Sequence, residues 1–469
     1  MTLVKKTFIC LIPFILISAK IDAQSFCFYD PNTGPIYSNG SSGAIYDVTS
    51  GDFNADDHLD IVTANSVGEN ISFIPGYGNG TLGSPDTISL SGTLFCIASA
   101  DLNGDEQLDI VTANNTTIFV LIGNGDGTFQ PSTSYPAGGA PSRIYSEDIN
   151  NDSIPDIIEA CGNGVFVLLG LGNGSFSPAT NYLAGLTVND VVIADFDNDT
   201  ILDLVSTTHI TATNSELSFL KGNGNGTFAS SSSIFSMTYP NNFIAGITSN
   251  DVDGDGATDL IVANSGNSSQ RVELYFGNGD GTFSTPVFYS THLSPFYIYH
   301  TDANNDLIED IVVEEGNGFS VLKGNSNGTF DAYEHFTAMS SPNSLVIEDF
   351  NEDGKVDVII PSAYFGSPLI AVNLNCNITG LDTPVQDENK SMNIFPNPFN
   401  SYTTIEFESP VSNAEIKIYT VEGRKIKSIK HISGQSIQLS RDYMPSGVYF
   451  IHLVQNNKII TTDKLVVMD

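Results

Sequence analysis

Basic residues are scarce in this chain. Lys and Arg total 17 against 54 Asp and Glu, a formal charge of −37. Such a surface repels phosphate backbones and anionic headgroups, which excludes nucleic acid as a partner. Long apolar runs are nearly missing, and the one within Phe8–Ser18 is too short to span a bilayer comfortably. Helical periodicity is absent throughout. The seven histidines (His58, His209, His292, His300, His335, His431 and His452) show no H-E-x-x-H or other zinc spacing. No Lys-Ser/Thr follows the glycine-rich turns, which removes phosphate cradling, and there is no Arg-Gly-Asp tripeptide. Gly324-Asn325-Ser326-Asn327-Gly328 has the lettering of a nucleophile elbow. Ser326 there only replaces a glycine of a repeated turn. Disorder does not explain the acidity, because 41% hydrophobic and 10% aromatic residues suffice for a packed core.

What is present is one loop written seven times, D-x-[ND]-x-D-x-x-x-D followed by an aliphatic run. Successive first residues are 49, 47, 47, 56, 51 and 47 apart, a repeat architecture. Position 1 is Asp52, Asp101, Asp148, Asp195, Asp251, Asp302 and Asp349. Position 3 is Asn54, Asn103, Asn150, Asn304 and Asn351, with Asp197 and Asp253 in the other two copies. Position 5 is Asp56, Asp105, Asp152, Asp199, Asp255, Asp306 and Asp353. Position 9 is Asp60, Asp109, Asp156, Asp203, Asp259, Asp310 and Asp357. These side chains, with a backbone carbonyl at position 7 (His58, Gln107, Ile154, Ile201, Ala257, Ile308 and Lys355), can wrap a hard cation that wants six or more oxygens. The spacing is that of the first half of an EF-hand loop, without its position-12 Glu and without flanking helices. Asp and Asn also favour turns, but turn preference does not place the same four residues seven times. The expectation is calcium, up to seven ions, in a structural role. Gly256 and Gly354 supply a flexible position 6, whereas Ser153, Thr200 and Leu307 do not, and Pro155 stiffens its loop. Those three loops are expected to bind more weakly.

Residues 24–390 hold 46 acids and 6 bases, and the loops supply 23 of those acids. Without cations each loop crowds like charges together, which costs stability. Residues 391–469 are close to neutral, with 8 bases and 7 acids, and mark a different domain.

In chain order, residues 1–23 read as a signal peptide: Lys5 and Lys6, an apolar stretch, then Ala23 before a cut. In residues 24–376 each unit has a strand into the Asp loop and a strand out of it. A third strand, a glycine turn such as Gly123–Phe129 and a fourth strand follow. Four short strands per period are a propeller blade. Seven loops but six glycine turns imply that Ser25–Tyr29 supplies the last blade's outer strand and closes the ring. Cys27 and Cys376 lie at the two ends of this region. A disulfide between them is expected in an exported chain and would add about 4 kcal/mol in the chain-entropy picture. Cys96 and Cys161 read as buried strand residues. Residues 377–391 are a linker. Residues 392–469 hold some seven short alternating strands, a small β-sandwich. The fold class is all-β: a seven-bladed β-propeller followed by that small domain.

The Asp loop followed by D-[IL]-[IV], with the Gly-Asn-Gly-Asp-Gly-Thr-Phe turn, resembles the FG-GAP/VCBS repeats of integrin-α-type propellers. That resemblance implies calcium in the loops but no particular activity. Pro396-Asn397-Pro398, Ile416-Lys417-Ile418-Tyr419, Gly423-Arg424, Gly447-Val448-Tyr449-Phe450 and Lys464-Leu465-Val466-Val467 resemble the type A sorting domain of type IX secretion. This second resemblance implies a Bacteroidetes-like source, engagement of that secretion machinery and removal of the domain on export. The chain is thus expected to be secreted or held at the cell surface.

The functional expectation is a non-enzymatic, monomeric, calcium-dependent module that binds an extracellular protein or glycan for adhesion. The alternative is an extracellular polysaccharide-degrading enzyme, lyase or hydrolase, on the same scaffold. No catalytic pair stands out from the loop acids. The segment His209–Glu216 is a candidate binding loop. The stretch from His292 to His300, with Phe296, Tyr297 and Tyr299, is either a sugar-stacking surface or ordinary strand between blades.

Overall fold

The computed structural model describes residues 28, 36–375 and 392–468, apart from 42, 212–213, 238–242, 267–269, 338–343, 362–368, 421–424, 442–443 and 456–457. The proposed signal peptide, the linker and both Cys27 and Cys376 lie outside the described residues. The chain divides into two compact units, one of which is Ser25–Cys376.

That unit is a seven-bladed β-propeller. Among the described residues it contains seven antiparallel four-stranded sheets. In blade one the strands run in order Ile45–Gly51, Asp60–Asn65, Asn70–Ile74 and Asp86–Ser89. The other inner strands are Cys96–Ala100, Pro141–Glu147, Thr187–Ala194, Ile244–Asn250, Pro295–Thr301 and Val346–Glu348. Second strands such as Asp60–Asn65 and Asp310–Glu315 are buried at every residue. Neighbouring blades cover both of their faces, so their aliphatic runs are continuous rather than alternating.

The core accordingly comes in seven pieces, one between each pair of neighbouring blades. Val62 and Ile71 of blade one pack with Leu94 and Ile110 of blade two. Ile45 and Ile74 of blade one pack with Ile359 and Ile370 of blade seven, which shuts the ring. The closing strand is Ile36–Ser38, paired with Leu369–Asn373, and not the expected Ser25–Tyr29. Phe28 has a different task. In six blades a bridge pins the glycine turn, as in Gly123↔Phe129, and blade seven makes the equivalent bridge between Asn375 and Phe28. Phe28 packs edge-on against Phe319 and Phe336. The N-terminal segment therefore returns both missing parts of the last unit, the turn aromatic and the outer strand.

Where seven short strands were expected in the C-terminal domain, its described residues form five, in one sheet. Tyr402–Thr420 and Lys425–Ser440 are long strands interrupted by bulges. The bulges let one sheet enclose a single core that contains Ile405, Leu439, Ile416 and Ile451.

Candidate metal centres

All seven Asp loops follow one path. The position-1 carboxylate accepts the N–H of position 5 on one oxygen and that of position 6 on the other, as Asp52 does from Asp56 and Asp57. Position 5 accepts the N–H of position 7. Positions 4 and 6 have positive φ in every copy, glycine or not, including Thr200 at +69° and Leu307 at +66°. The loops without glycine thus take the same shape as Gly254 and Gly256, at a conformational cost.

The position-9 aspartate holds the blade together. One of its oxygens accepts the N–H of loop position 2 at 2.9–3.2 Å. The other accepts the first N–H of the same blade's turn at 2.7–2.8 Å, from Gly76 through Gly324 and from Asn375 in blade seven. The loop also reaches the next blade. The carbonyls of Phe53, Leu102, Phe196 and Phe350 accept from Gly127, Gly174, Gly281 and Gly80 of the neighbouring turns. Gly127 needs its φ of +79° to make this approach. His58 and Glu352 connect the first and last loops at 2.6 Å.

The charge in these loops is incompletely balanced. Burial, then repulsion from positions 5 and 1 (positions 3 and 1 for Asp259), pushes Asp60, Asp109, Asp156 and Asp259 up to about 6, against the two N–H bonds that favour ionisation. Asp310 and Asp357 rise to about 7 for the same reasons. Carboxylate oxygens of Asp195, Asp197 and Asp203 lie within 4.8 Å of one another, as do those of Asp251, Asp253 and Asp259. Most telling is position 3. The side-chain oxygens of Asn54, Asn304 and Asn351, and one carboxylate oxygen of Asp197, are buried and have no hydrogen-bond partner. A buried acceptor left unpaired costs free energy, and an oxygen-seeking cation inside the loop would satisfy it. The donor set, all oxygen and mostly anionic, fits calcium or a similarly hard ion.

The repeat stretches 52–112, 101–159, 148–206, 251–313 and 302–360 match the FG-GAP-like repeat. The chain belongs to the FG-GAP-like repeat family. Residues 393–468 of this FG-GAP-like protein match the secretion system C-terminal sorting domain, so it carries a type IX export signal. That signal implies interaction with the type IX machinery and export to the cell surface or beyond. No curated protein matches the chain. Among solved structures, BBS1N in complex with ARL6DN is 11% identical over 75% of this chain and 97% of that one, with a TM-score of 0.50. An Agrocybe aegerita lectin that recognises non-reducing terminal N-acetylglucosamine is 18% identical over 63% and 80%, with a TM-score of 0.47. PorZ, a type IX secretion surface component of Porphyromonas gingivalis, is 14% identical over 88% and 58%, with a TM-score of 0.42.

Two other sequence candidates resolve differently. Within His209–Glu216, the described residues 209–211 and 214–216 extend the central strands of blade four, and His209 is tied to Asn189 at 2.6 Å and packs on Phe243. Tyr297 and Tyr299 lie on the inner strand of blade six and line a cavity on the propeller axis. Arg143, also in that cavity, was missed because its repeat position holds unrelated residues elsewhere: Asp47, Cys96, Asp190, Gly246, Tyr297 and Ser344.

Proposed function

We propose that this chain is an exported calcium-dependent binding module, displayed at the cell surface or released, that takes a protein or glycan for adhesion. The supporting observation is the unpartnered buried oxygen at position 3 in four of seven loops that share one geometry. Calcium in each loop would be held by the side chains at positions 1, 3, 5 and 9 and the carbonyl at position 7. It would supply charge balance and rigidity, with no part in bond chemistry. Each loop grips its own turn and four visibly grip the next blade, so filling the loops would stiffen the ring that presents the binding surface. The sorting domain acts as an address and leaves the mature protein on export.

A glycan array and a surface-protein capture, each in calcium and in EDTA, test this reading. Calcium-dependent capture of either ligand supports it. Product release in a parallel polysaccharide-depolymerisation screen would replace it with the enzymatic reading.

A further inference from the structure

The inner strands enclose an axial cavity of about 500 Å³, within the roughly 300–1,000 Å³ of small-molecule sites. Its floor is Arg143, whose guanidinium lies 3.4 Å from the centroid of the Tyr297 ring across the axis. Arg143 makes one hydrogen bond, to Asp47 of blade one at 3.2 Å. Its remaining N–H groups have no protein partner among the described residues, nor has the Tyr297 hydroxyl. Ser146, on the wall, has a buried hydroxyl oxygen without a partner. The two aspartates lining the cavity are already engaged. Asp47 accepts from the Ile97 amide, and Asp190 accepts from the Ile247 amide and the Tyr145 hydroxyl. Toward the Asp-loop rim burial falls, through the part-exposed Thr49, Ser99 and Thr248 to the exposed Glu147, so the cavity opens on that side.

We propose that this cavity receives the end of a neutral oligosaccharide. The unmatched groups are chiefly donors, so the ligand must bring acceptor oxygens. It must also be uncharged. Asp47 neutralises Arg143, Asp190 adds a negative charge, and a route past the acidic loops and Glu147 repels anions. Sugar hydroxyls and ring oxygens meet the Arg143 fork and the serine and threonine walls, while Tyr145 and Tyr299 offer apolar faces. This assignment rests on the binding-module reading and names its site.

The test titrates the full chain, in calcium, with neutral oligosaccharides and with uronic-acid or sulfated ones. Neutral sugars are expected to bind. Arg143→Lys, which keeps a charge beside Asp47, and Thr248→Trp, which fills the cavity from blade five, should each weaken binding about tenfold or more. Tyr297→Phe removes one hydroxyl and is the control where either variant lowers the melting temperature, and it too should weaken binding. Glycan binding that ignores all three variants overturns the site and leaves the module reading intact. Preference for acidic sugars, or capture of proteins alone, also overturns it. Absence of every glycan and protein ligand removes both the inference and the reading beneath it.

Discussion

The ammonium of Lys221 stands 2.8 Å from a carboxylate oxygen of Asp199 and also bonds Asp197, so loop four carries a cation of the protein's own. Lys221 immediately precedes the turn glycine Gly222. Lys323 holds the same place in blade six and reaches Asp306 at 3.3 Å. Pro75, Ile122, Leu169, Phe276 and Leu374 occupy it elsewhere. Calcium must displace an amine in loops four and six, so those two should fill last in a calorimetric titration. Lys221→Met should tighten the weakest class severalfold, and an unchanged isotherm would contradict this competition.

Backbone strain at position 6 gives a second prediction. Leu307 is 94% exposed at a φ of +66° and packs on nothing that would compensate. Leu307→Gly and Thr200→Gly should each stabilise the calcium-loaded protein by about 0.5–1 kcal/mol, the left-handed penalty less the entropy of a new glycine. Gly256→Ala should destabilise by about 1 kcal/mol although the space beside it is open. Thermal melts in saturating calcium decide the signs.

The position-9 clamp predicts a larger effect. Both oxygens of Asp310 accept amide protons, from Ala303 and Gly324. Asp310→Asn would turn an NH₂ group toward one of those donors, and a buried bond replaced by a donor–donor contact costs about 1–3 kcal/mol. The loss should persist in EDTA, since the clamp is backbone chemistry. Recovery of wild-type stability in EDTA would show that the residue acts only through metal.

Glu314 sets a pH dependence away from the loops. It is fully buried and neither carboxylate oxygen completes a hydrogen bond. Burial raises it from 4.5 to about 8, with Arg143 opposing, while the nearby Tyr297 amide lowers it without reaching bonding geometry. Below about 4.5 both folded and unfolded chains hold the proton. Between about 4.5 and 8 the unfolded chain has lost it and the folded chain has not, so stability falls as pH rises, and the penalty is complete above 8. Glu314→Gln should match the wild type near pH 4.5 and become progressively more stable toward pH 9. Parallel melting curves across that range would contradict the assignment.

The blades and loops were legible because their signals are local. Nine residues carry each loop and about fifty each blade, and Asp, Asn and Gly mark both. Closure was half legible: the count of turns called for an N-terminal contribution, but Phe28 and Ile36–Ser38 share work that Ser25–Tyr29 was expected to do alone. The long strands of the sorting domain were hidden by bulges that break the alternation on which short strands are judged. The axial cluster was not read from the sequence. Arg143 meets Asp47 ninety-six residues away and Tyr297 from a blade on the far side of the axis; all three stand five residues before the first Asp of their loops, but the residue types at that position differ from blade to blade and carry no motif.

The most direct measurement is bound calcium per exported chain, by elemental analysis, beside melting curves in calcium and in EDTA. The loops as cation cages predict several ions per chain and a marked fall in melting temperature on chelation. A single site held at a hundred times its Kd is worth about 2.7 kcal/mol. No bound calcium, with superimposable curves, would contradict it.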